Sequence, residues 1–85
     1  MTPSEIFQQT AQSARTSGAR PSDVAVLIVA GLALRRLQSG RFGPHEATEL
    51  RSARRVLERT DQHSIDWATP SWAECARGIL EDAGY

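Results

Sequence analysis

The sequence contains no lysine. All ten of its basic residues are arginine, so no side chain can form a Schiff base and none offers an amine for acetylation. With abundant alanine, that bias fits the coding habit of a GC-rich, bacterial genome. A single cysteine, Cys75, excludes an internal disulfide and the small secreted scaffolds that depend on one. The expected location is therefore cytoplasmic, and the thiol, at the edge of an apolar face, is read as buried and structural. Net charge is also lacking, since ten acidic residues balance the ten arginines. No global field draws the molecule to nucleic acid or an anionic membrane.

Long apolar runs are missing as well. The longest, Val24 to Leu34, covers eleven residues, against about 20 needed to cross a bilayer. The beginning, MTPSEIFQQ, has no basic region leading into an apolar one and so is no signal peptide. No membrane partner is expected. The six glycines are scattered and build no phosphate-cradling loop. His45, His63 and Cys75 match no compact metal-ligand spacing. His63 and Asp66 are the local candidates for proton transfer, but no recognisable nucleophile accompanies them. Accordingly no catalytic residue, no metal and no cofactor is assigned, and the chain is read as not an enzyme.

What is present is helical. Eighty-five residues support one domain, 1–85, burying roughly 60–65% of the unfolded surface. Thr2-Pro3-Ser4-Glu5 has the form of a capped helix start, and Thr69-Pro70-Ser71 repeats it near the end. The segments diverge beyond the tripeptide, which makes these two helix beginnings rather than a duplication. The spacing predicts helices over approximately 3–17, 22–39, 44–60 and 70–83, the second capped by Ser22-Asp23 and stopped by Gly40. The run VAVLIVAGLAL is apolar on every side, which implies a helix enclosed on most of its circumference. A strand at VAVLIV is the alternative, set aside because the apolar character continues to Leu37 without a turn signal. The expected fold is all-α: a small antiparallel bundle of about four helices with a central apolar second helix.

Charge is segregated along this neutral chain. Residues 35–59 carry seven arginines against three glutamates, and residues 60–85 carry one arginine against five acids. On the third helix Arg51, Arg55 and Arg59 stand four apart, with Arg54 beside them. Three readings compete for this stripe: a solvated face balanced by the protein's own acidic fourth helix, a larger protein partner with an acidic surface patch, and nucleic-acid phosphates. Trp72 is expected in the core and Trp67, if exposed, at a binding surface. The functional expectation is a small non-enzymatic protein–protein interaction module (a subunit, adaptor or inhibitor) using Arg51, Arg54, Arg55, Arg59 and Trp67. A nucleic-acid-binding regulator is second. Slim apolar seams on the first and third helices add the expectation of a homodimer, because pairing would cover more of the second helix.

Overall fold

The computed structural model describes residues 2–62 and 70–85, apart from the side chains of residues 60–62, 70 and 71. Four helices form: α1 (Pro3–Thr16), α2 (Pro21–Gln38), α3 (Pro44–Gln62) and α4 (Pro70–Asp82), with no strand among the described residues. The chain's four prolines are the first residues of its four helices. That position needs no N–H donor and a φ near the one proline imposes.

The ends of α1 follow from local chemistry. Glu5 N–H donates to Thr2 Oγ1 and Thr2 N–H donates back to Glu5 Oε1, both at 3.3 Å, a reciprocal capping box. The Thr2 hydroxyl also donates to Glu5 Oε1 at 2.9 Å. At the other end Gly18 takes φ +87°, and the N–H of Ala19 returns to the carbonyl of Ala14 at 2.9 Å. Gly40 and Gly84 close α2 and α4 in the same way, with Arg41 N–H to Arg36 and Tyr85 N–H to Leu80. At α2 the start differs from expectation. Its N-cap is Arg20, without a side-chain cap bond, and Pro21 is the first helical residue. Ser22 and Asp23 therefore lie inside the first turn, because the proline fixes the helical φ before them.

In the ring of helices, α2 and α4 each pack against α1 and α3. The core contains Phe7, Leu27, Leu34, Leu50, Val56, Leu57 and Leu80, yet among the described residues half of the sixteen buried apolar ones are alanine. Small side chains let the helices approach closely, most of all at Gly31, where an added Cβ would stand 3.3 Å from Phe7 Cβ and 3.4 Å from the Ser4 carbonyl oxygen. The cost is a thin core with no room for every aliphatic side chain of α2. Val24, Leu27, Ala30, Ala33 and Leu34 are inside, whereas Ile28, Val29, Leu32 and Leu37 remain 39%, 38%, 42% and 39% exposed. The fold class is thus the expected helical bundle, and α2 lies between α1 and α3. It is enclosed over only part of its circumference, because among the described residues α1 and α3 alone pack against it.

Candidate interaction surface

The arginine stripe on α3 is largely engaged within the protein. Arg54 Nε donates to Glu58 Oε1 at 2.9 Å, and its Nη2 reaches Glu81 Oε1 of α4 at 3.2 Å. Arg59 Nη2 donates to Asp23 Oδ1 of α2 at 2.7 Å; Asp23 also accepts from Arg20 Nε at 3.4 Å. The Arg51 guanidinium carbon stands 5.7 Å from the centre of the Tyr85 ring, within cation–π range. Tyr85 in turn tilts against Phe42, centroids 6.0 Å apart. The chain reversal after Leu80 puts it there. Arg55 is exposed, and its side chain has no ion pair or hydrogen bond among the described residues. Trp67 lies outside the described residues, as do His63 and Asp66. Trp72 is half-buried rather than enclosed, and its carbonyl receives the Thr10 hydroxyl at 3.2 Å.

Cys75 corrects the expectation of a buried thiol, for it is exposed. Ala73, Ala76 and Leu80 occupy the buried side of α4, and Cys75 falls between them on the outside. Among the described residues no three His, Cys, Asp or Glu side chains converge as a metal site, and no helix is long and apolar enough to cross a membrane.

A second surface went unrecognised as a site in the sequence. Ala25, Ile28, Val29 and Leu32 recur at helical spacing on the outer side of α2, all exposed, with exposed Arg36 one turn beyond Leu32 in the same row. A shallow groove of about 200 Å³ flanks the row toward α1, with Arg15, Ala19, Pro21 and Val24 in its walls. Another, of about 240 Å³, runs between α2 and α3 and is lined by Ala25, Val26 and Val29 opposite His45, Thr48, Glu49 and Ser52. The walls of the latter are mainly apolar, and Glu49 is the one carboxylate among its lining residues. Glu49, whose side chain is only 14% exposed, meets His45 Nε2 through Oε1 at 2.9 Å. Its other oxygen, Oε2, is buried and has no hydrogen-bond partner among the described residues. The only sequence clue was the i, i+4 spacing of His45 and Glu49, which says nothing about the apolar wall facing them.

Compared with family models, with curated proteins and with solved structures, the chain matches none at a stringent threshold.

Proposed function

We propose that the protein is a small non-enzymatic interaction module, cytoplasmic in location, whose principal binding surface is the outer face of α2. One observation carries this reading: Ile28, Val29 and Leu32 stand together on one face with about two-fifths of each side chain open to solvent. Covering what remains exposed on these three would contribute about 2–4 kcal/mol, and contiguous apolar rows on small proteins mark association sites more often than scattered residues do. The flanking grooves suit side chains of a protein partner. They are shallower and smaller than the roughly 300–1,000 Å³ clefts that bury small-molecule substrates, which favours binding over catalysis.

The arginine stripe has a lesser part in this reading. Arg54 and Arg59 serve carboxylates of the same chain, leaving Arg55 and the edge of Arg51 for an acidic patch on a larger partner. The same engagement weighs against phosphate contact as the primary function, since binding nucleic acid would first break two internal pairs. The test is purification of the tagged protein and its Leu32→Glu variant from the native cytoplasm, with the mass of each measured by light scattering. The wild type should elute in a stoichiometric assembly heavier than its own 9.3 kDa, and the variant should elute alone. Identical behaviour of the two proteins would refute the surface.

A further inference from the structure

We propose that the occupant of the α2 face is a second copy of this chain, packed antiparallel about a two-fold axis so that Arg36 of each protomer enters the α2–α3 groove of the other and pairs with Glu49. The inference rests on the reading of α2 as the binding surface and names its partner. Three features of the face carry it.

The row is self-complementary. An axis crossing α2 between residues 30 and 31 sets Val29 opposite Leu32, so the exposed aliphatic side chains of one copy meet those of the other. It also sets Arg36 opposite Ala25, where a small side chain leaves room for the arginine stem at the mouth of the groove. In a two-fold pair each contact is made twice.

The charges are unsatisfied in a matching way. Glu49 Oε2 is buried without a donor among the described residues, a costly placement for a carboxylate oxygen, and the side chain, 14% exposed in the groove wall, turns outward to meet the incoming guanidinium. Arg36 is exposed at the far end of the row, with no ion pair or side-chain hydrogen bond among the described residues. The residues lining the groove include no other carboxylate. A guanidinium offers a fork of donors and an alkyl stem that lies comfortably on apolar walls, which is what Ala25, Val26 and Val29 provide.

The size fits a reversible pair. A single face of an eighteen-residue helix supplies less than the ~800 Å² per protomer of a standard interface, so dissociation is expected in the micromolar range.

The experiment is light-scattering mass against concentration for the wild type, Arg36→Glu, Glu49→Arg and an equimolar mixture of the two variants, with helicity followed by circular dichroism. Wild type should dimerise. Each variant alone should associate at least about tenfold more weakly, because like charges then face each other twice. The mixture should recover dimer, since only the mixed pair brings opposite charges together at both of its contacts between positions 36 and 49. Recovery on mixing requires contact between copies and cannot arise from repair within one chain. If Glu49→Arg does not fold, Arg36→Glu at its exposed position still should weaken the dimer, and Arg36→Gln should weaken it less. A wild type that stays monomeric to about millimolar concentration, far above the expected micromolar range, would overturn the inference, as would dimers untouched by Arg36→Glu or a mixture of folded variants that stays monomeric. If the wild type is monomeric yet Leu32→Glu loses a different co-purifying protein, the second copy is wrong and the α2 surface stands. If Leu32→Glu changes neither, both fall.

Discussion

Thr10 shows how much one hydroxyl can do in so thin a core. It is buried, and its single proton is shared between the Ile6 carbonyl of its own helix at 2.8 Å and the Trp72 carbonyl of α4 at 3.2 Å. It joins α1 to α4. Thr10→Val keeps the shape and removes the bond, so it should cost about 1 kcal/mol, a fall of roughly 4–8 °C in melting temperature for a domain of this size. Two glycines give a sharper contrast. Alanine at Gly78 would meet nothing within 4 Å and should stabilise α4 by up to about 1 kcal/mol through helix propensity. Alanine at Gly31 has the same propensity gain, but its Cβ meets Phe7 Cβ and the Ser4 carbonyl, which move only if α1 moves. The two substitutions should shift thermal stability in opposite directions, and equal shifts would mean that α1 is not held where it lies.

Among the elements, α1 carries the clearest link between pH and helicity. The Glu5 carboxyl is held below its ordinary range, first by the Thr2 hydroxyl and then by the Thr2 backbone N–H. A depressed folded-state value means that the cap's contribution is complete above the usual carboxylate range and is lost as pH falls through the lower, folded value. Circular dichroism on acidification should therefore show a component of helix loss in the wild type that is missing from Glu5→Gln. This cap was legible from Thr2-Pro3-Ser4-Glu5 because its partners are three residues apart. The glycine stop after α2, at Gly40, was legible for the same reason. The enclosure of α2 was not. VAVLIVAGLAL reveals that the helix is apolar all round, but how much its neighbours cover depends on their side-chain volume and on the position of α2 in the ring. The exposed face is what remains when an apolar helix is set in a bundle lined with alanine.

For the whole molecule, the opposed charge blocks become intelligible as internal stitching. Arg54 to Glu81 ties the basic block to the acidic one, and Arg59 to Asp23 ties α3 to α2. The first was foreseeable as a balance between the third and fourth helices; the second required knowing that α3 runs back along the start of α2. Both pairs include a half-exposed partner, and such pairs contribute at most about 1 kcal/mol each. They orient the bundle more than they stabilise it. The accessible surface of 4996 Å² is close to the roughly 5,000 Å² expected for a folded 9.3 kDa monomer, so the chain closes on itself adequately. What distinguishes it is the chemistry of one side of that surface: an aliphatic row, an arginine at its end and, in the adjoining groove, a carboxylate with one oxygen left without a donor among the described residues. The most direct measurement is the light-scattering mass of the purified wild type and Leu32→Glu over a concentration series. The wild type should rise from 9.3 kDa toward twice that value while the variant, equally helical, stays at the monomer mass; equal masses for the two at every concentration would contradict the account.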